Sequence, residues 1–275
     1  MIVVKEFPNK QFETKDELFK ALKENKAELI ATKKMQTKEA DSTFNVIDKD
    51  FIIGTNKSDV TKAEDINTIK AELIINTTNI MDSHSDVHLK GIWNKSTKEQ
   101  KNILLLQEHQ MKFNSIISDS VTAEVKRMTW KSLGFDLEGD TEALIFNAEI
   151  DKARNEFMFN QYAKGYVKEH SVGMRYVKLE LALNSESKYD TEEKEVWDKY
   201  IKEIVNKEAA EEQGYFWAVS EAKIIEGSAV VKGSNYATPT ISVEAVKDTP
   251  TETKEPLEDT QEVSKELLKE LLNKF

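Results

Sequence analysis

Across the middle of the chain the apolar positions alternate, and the helical stripes lie between and beyond these alternating runs. Ile2 to Phe7 reads as a strand, Thr14 as the cap of a helix carrying Leu18, Phe19 and Leu22, and Ala27 to Ala31 as a second strand. Residues 36 to 60 are polar and irregular and read as a connection. From Asn67 the texture is β-rich: Ile69 to Ile75 alternates, Thr77 to His88 is a polar loop, and Ile103 to Leu106 is a short buried-strand pattern running into Gln107-Glu108-His109. Ser120 to Met128 and Ala143 to Ile150 alternate again. Asp151 to Ala163 has helical spacing, with Phe157, Met158 and Tyr162 on one side and Gly165 as its stop. Tyr166 to Lys168 then leads into a turn at Ser171, and Met174 to Leu183 predicts a long strand. Thr191 to Glu212 predicts one amphipathic helix with a stripe of Val196, Trp197, Tyr200, Ile201, Ile204 and Val205. Tyr215 to Val231 reads as two short strands around Glu226-Gly227. Beyond Ala245 the composition turns to Lys, Glu, Thr and Pro, as in a disordered linker, and Leu267, Leu268, Leu271 and Leu272 restore helical spacing between Val263 and Phe275, the pattern of a helix that docks on a partner or folds back onto the body. The expected organisation is an N-terminal module and connection over 1–60, a main domain over 61–245, and an acidic linker with a short helix over 246–275.

Composition narrows the function classes. Of 275 residues, 39% are hydrophobic and 32% charged, so the core is of ordinary size only if part of the chain stays solvated. A net charge of -11 offers no basic stripe for phosphate neutralisation and argues against a nucleic-acid partner. The absence of cysteine excludes disulfides, thiol catalysis and thiolate zinc sites. The start lacks the pattern of a signal peptide, and no run approaches the roughly eighteen apolar residues of a membrane span. A soluble, intracellular protein without membrane contact is expected.

Chemistry concentrates in two places: Glu169-His170-Ser171-Val172-Gly173-Met174 and, upstream, Gln107-Glu108-His109. A serine is a poor nucleophile until an imidazole takes its proton. Only four histidines occur, His84, His88, His109 and His170. His170 adjoins Ser171 and in extended chain points to the opposite face, a poor base for its neighbour, whereas His109, at the end of an apolar run, is placed to project from a strand end into a cleft. Gly173 lets backbone N–H groups around Val172 and Gly173 turn toward an oxyanion. For an orienting acid the interior candidates are Glu226 and Glu221, which face opposite sides of a regular strand, and their composition does not choose between them. His84 and His88, with Asp82 and Asp86, are the only metal-like grouping. They read as loop and lack a third ligand of matching context, so neither metal nor other cofactor is expected.

Four blocks in order resemble the prohead (capsid maturation) proteases of tailed bacteriophages, relatives of the herpesvirus assembly proteases. Met81 to Trp93 is similar to the family's Asp-rich D-x-x-x-D-V-x-x-x-G-A-F segment. Leu104-Leu105-Leu106-Gln107-Glu108-His109 resembles its strand ending in the catalytic histidine. Tyr162 to Met174 resembles its helix, glycine and S-I-G-F nucleophile block, and Ile224 to Val231 its L-x-E-V-S-L-V block bearing the acid. Val172, Met174 and Gly227 depart from those patterns, as does Lys232-Gly233-Ser234-Asn235 where the family carries T-x-P-A-N. The likeness spans roughly residues 65 to 240. It implies an α+β fold, a closed or nearly closed β-barrel with surrounding helices, and a serine endopeptidase with Ser171 as nucleophile, His109 as base and Glu226 as acid. It further implies major capsid protein, scaffolding sequence and the chain's own ends as substrates, inside the assembling procapsid in the host cytoplasm, with self-association compatible. An acidic, helix-tailed chain of the same fold also suits a catalytically inactive scaffolding or structural capsid-assembly protein.

Overall fold

The computed structural model describes residues 1–35, 57–58, 66–99 and 101–246. The expected C-terminal linker and helix, from residue 247 on, lie outside the described residues, as does nearly all of the 36–60 connection.

The protein is α+β. Its elements are α1 (Lys15–Glu24), α2 (Lys26–Met35), β1 (Lys57–Ser58), β2 (Thr68–Thr77), β3 (Asp86–His88), α3 (Ser96–Glu99), β4 (Leu105–Gln107), β5 (Ile116–Ser118), β6 (Ser120–Thr129), β7 (Asp140–Asp151), α4 (Glu156–Ala163), β8 (Glu169–Leu183), α5 (Thr191–Tyr200), α6 (Lys207–Gln213), β9 (Tyr215–Val230) and β10 (Thr240–Ala245). Five strands form one sheet in the order β1-β10-β2-β7-β6. In the second, β9 pairs antiparallel with β8 along one edge and shares its other edge between β3 and β4, both parallel to it, with β5 beyond β4. Neither sheet closes among the described residues, so the expected barrel is not seen. The sheets meet through side chains instead of a ladder: Ile69, Leu73 and Phe146 of the first share one buried cluster with Val172, Leu181 and Trp217 of the second. Fully burying such side chains stabilises by about 1.5–3 kcal/mol each. No helix among the described residues is long and apolar enough to cross a membrane.

The N-terminal segment belongs to this core. Thr14 caps α1, its hydroxyl accepting from the Glu17 amide at 3.2 Å, while Leu18, Phe19 and Leu22 enter the shared cluster. Ala27 to Ala31 is helix, not strand, because it continues into the helix-forming Thr32-Lys33-Lys34-Met35 run of α2. Ile2 makes only an isolated bridge, to Phe12. Lys33 brings α2 to the second sheet: its Nζ lies 2.7 Å from Asp86 Oδ1 and 3.5 Å from Glu6 Oε1, and burial alone would lower its pKa, but the two carboxylates outweigh that and raise it.

Other elements differ from the sequence reading in instructive ways. β7 runs on to Asp151, so α4 begins only after the Asn155 cap and buries Met158, Phe159 and Tyr162, leaving Phe157 61% exposed. The predicted 191–212 helix is broken between α5 and α6 by a 3₁₀ turn, which sends Trp197 and Ile204 into one buried cluster and Val205 against another. Tyr215 to Val230 is one strand, uninterrupted at Gly227, where a Cβ would stand 2.5 Å from Phe146 Cε2.

Candidate active site

A single β-bulge decides which way the acid points. Along β8, Val172 and Met174 both face the core; opposite them on β9 stand Gly227 and Ile224, one residue further apart. The extra residue in β9 reverses its alternation. Ala222 and Ile224 face the core before it, and Ala229 after it. Glu226 and Ser228 are thereby turned to the other face, where their register partners Gly173 and Ser171 also lie. An unbulged strand would have aimed Glu226 into the hydrocarbon core. The sequence reading placed Ser171 in a turn; it sits within β8 instead, because Glu169 to Gly173 pair residue by residue with Val230 to Glu226 of β9.

His109 reaches this face from the opposite edge. β4 pairs with β9 at Gly227 to Ala229, and the chain then reverses through a turn closed by the Gln110 amide donating to the Gln107 carbonyl at 3.0 Å. Glu108 and His109 occupy its centre with φ of 49° and 56°. Two successive non-glycine residues in the left-handed region are costly, and such strain collects at functional sites. The turn is pinned to β9 by the Glu108 amide donating to the Ala229 carbonyl at 2.9 Å and the His109 amide donating to Ser228 Oγ at 3.1 Å.

The imidazole meets Glu226 at 2.6 Å, Nδ1 to Oε1. A carboxylate accepts, so Nδ1 carries the proton and Nε2 presents a lone pair. Nε2 is buried and makes no hydrogen bond among the described residues. Ser228 Oγ donates to the other carboxylate oxygen at 2.6 Å. The carboxylate lies across Gly173 so closely that a Cβ there would stand 1.9 Å from Oε1. Ser171, two residues from Gly173 and 8% exposed, shares that face, but no hydrogen bond joins its Oγ to His109 Nε2. The structure therefore pairs the candidate base with the candidate acid, and brings the candidate nucleophile to the same face without bonding it.

The ladder separates the two expected oxyanion donors. Gly227 donates its amide to the Leu104 carbonyl, on the β4 side, so its partner Val172 belongs to a pair that exchanges no bonds with β9. The Val172 N–H points to the outer edge of β8. Along that edge the His170 amide is covered by the Thr238 carbonyl at 3.2 Å, whereas no backbone acceptor among the described residues meets Val172. Alternation turns the Gly173 amide toward β9, so Gly173 contributes clearance for Glu226 and Val172 the free donor.

The remaining candidates are engaged elsewhere. Glu221 pairs with Lys178 at 2.8 Å and Lys95 at 3.6 Å, away from any histidine, and those cations hold its pKa down, chiefly the hydrogen-bonded Lys178. His170 faces the core: Nδ1 donates to the Thr238 carbonyl at 3.0 Å, Nε2 accepts from Tyr162 OH at 3.0 Å, and burial lowers its pKa to about 4. His88 contacts Asn76 and Tyr176, and Asp82 accepts from the amides of His84 and Asp86, stitching the Asp-rich loop together. Among the described residues no three His, Asp or Glu side chains converge as a metal site. Ser228 escaped the sequence reading, although its spacing of two from Glu226 places both on one face of a strand.

Comparison with protein-family models, with curated proteins and with solved structures returns no match.

Proposed function

We propose that the protein is a serine endopeptidase of the capsid-maturation kind. The observation that carries this reading is the buried His109–Glu226 pair, with an unpartnered Nε2 on the face that holds Ser171. In the reaction Ser171 Oγ attacks a peptide carbonyl carbon while Nε2 takes its proton; Glu226 stabilises the imidazolium, and the Val172 N–H receives the oxyanion. Nε2 then returns the proton to the leaving amine, and water resolves the acyl-enzyme by the same path. The substrates proposed are scaffolding sequence, major capsid protein and the chain's own ends, met inside the procapsid. The herpesvirus-protease-like barrel stays part of this proposal, supported by two sheets that share one core.

One observation favours the alternative, a non-catalytic capsid-assembly protein: Ser171 and His109 are not hydrogen-bonded, although such bonds are often loose in unliganded enzymes. A fluorophosphonate probe separates the two readings, since an activated serine displaces fluoride and gains a stable phosphonyl adduct. One adduct per chain, mapped to Ser171 and lost in Ser171→Ala and His109→Ala, is expected. Intact mass unchanged by the probe, together with no fragments on co-expression with capsid and scaffold proteins, would overturn the protease reading.

A further inference from the structure

We infer that Ser228 is a positioning residue that holds the acid and the base in register with one hydroxyl; the inference concerns the same site and, for its catalytic consequence, rests on the protease reading. Ser228 is fully buried and stands opposite Ser171 in the β8–β9 ladder. Its Oγ makes two bonds of opposite sense: it donates to Glu226 Oε2 at 2.6 Å and accepts from the His109 amide at 3.1 Å. The first fixes the carboxylate so that Oε1 is the atom left for Nδ1. The second ties down a residue whose backbone φ of 56° costs free energy and would relax if released. Because the proton of Ser228 is committed to Glu226, this hydroxyl cannot donate to Nε2, which distinguishes it from Ser171. The hydroxyl is the shared point through which a carboxylate on β9 and an imidazole on the β4 turn keep a fixed separation. Its two bonds go to the carboxylate and to a backbone amide, and neither goes to Ser171 Oγ or His109 Nε2.

The test compares wild type with Ser228→Ala and Ser228→Thr by two readouts. The first is the low-field proton resonance of His109 Nδ1–H, assigned by its loss in Glu226→Gln, which requires no turnover. The second is the rate and concentration dependence of fluorophosphonate labelling. The expected result in Ser228→Ala is a broadened or lost resonance and a maximal labelling rate lowered about ten- to hundredfold, the equivalent of one hydrogen bond to a charged group, with half-saturating probe concentration unchanged. Ser228→Thr, which keeps the hydroxyl, restores both. A sharp, unshifted resonance in a folded Ser228→Ala overturns the inference, as does failure of a folded Ser228→Thr to restore it. If no variant or wild type takes the probe but the resonance still depends on the hydroxyl, the protease reading fails while the positioning role stands.

Discussion

Substituting Gly173 by alanine adds one methyl group, and the site makes its effect depend on a different residue. The new Cβ would lie 1.9 Å from Glu226 Oε1, 2.7 Å from Cδ and 2.9 Å from Cγ. No carbon–oxygen contact survives at such separations, so the carboxylate must swing off β8. A free glutamate would do so at little cost, but this one is held by His109 and Ser228. Losing one hydrogen bond to a charged group costs about 1.5–3 kcal/mol. Against this, replacing glycine by alanine at an ordinary strand φ favours folding by about 0.4–1 kcal/mol through the unfolded chain. Gly173→Ala should therefore destabilise wild type by about 0.5–2.5 kcal/mol, yet be neutral or stabilising by under about 1 kcal/mol in a Glu226→Ala background. The assay is urea unfolding of the four proteins of the double-mutant cycle, followed by tryptophan fluorescence, with m-values compared to confirm a common transition. An equal cost in both backgrounds would show that the methyl clashes with something other than Glu226. No cost in wild type would mean that the carboxylate does not lie across β8, and the base–acid geometry would fall with it.

Two further consequences concern the interior. His170 is held near a pKa of about 4 against an ordinary 6.5, so as pH falls through 6.5 the unfolded chain takes up a proton that the folded one refuses. Stability should decline from about pH 6.5 and level off near pH 4, by about 3 kcal/mol in total, relative to His170→Gln in parallel unfolding titrations; an identical pH slope in the two proteins would contradict the assignment. Lys33→Met strands Asp86 and Glu6 without their cation, and breaking a buried pair of this kind costs about 3–5 kcal/mol. The triple variant with Asp86→Asn and Glu6→Gln should recover most of the urea midpoint, and failure to recover would show that the bonds these carboxylates accept from Tyr176, Tyr215 and Trp217 matter more than their pairing with the lysine.

Which parts of this structure were legible in the sequence follows from what local pattern encodes. Three strands of the first sheet show through: β6 and β7 alternate in residue type, β7 with a wet face from Asn147 on, and their predicted spans nearly coincide with the observed ones, whereas β10, also in that sheet, went unread. Ala27 to Ala31 misled because five apolar-rich residues fit either period, and only the following Thr32 to Met35 resolves them as helix. Phe157 was assigned inward for a related reason: with β7 extending to Asp151, the helix starts later and its buried face rotates onto Phe159. At the site, residue types pointed to Ser171, His109 and a glutamate. The choice between Glu226 and Glu221 hinged on a bulge, which is a property of two paired strands and has no local signature. Gly173 was read as a turn glycine lending its amide; its observed use is to let another strand's carboxylate pass, again a non-local demand.

The bulge and the missing Cβ of Gly173 also act on folding fidelity. The β8–β9 ribbon is long, and an antiparallel pair sliding by one residue exchanges its two faces. In any such slip Glu226 would stand opposite Val172 or Met174, each with a side chain where Gly173 has none, and that side chain would push the carboxylate off His109, which the β4 turn ties to β9. A buried, unpaired charge then penalises the misaligned ribbon by several kcal/mol. Glu226 thus serves as a ruler for the strand that carries Ser171: chains that zip up out of step are unstable. The folded population would then consist of correctly registered molecules, with few misaligned impostors among them.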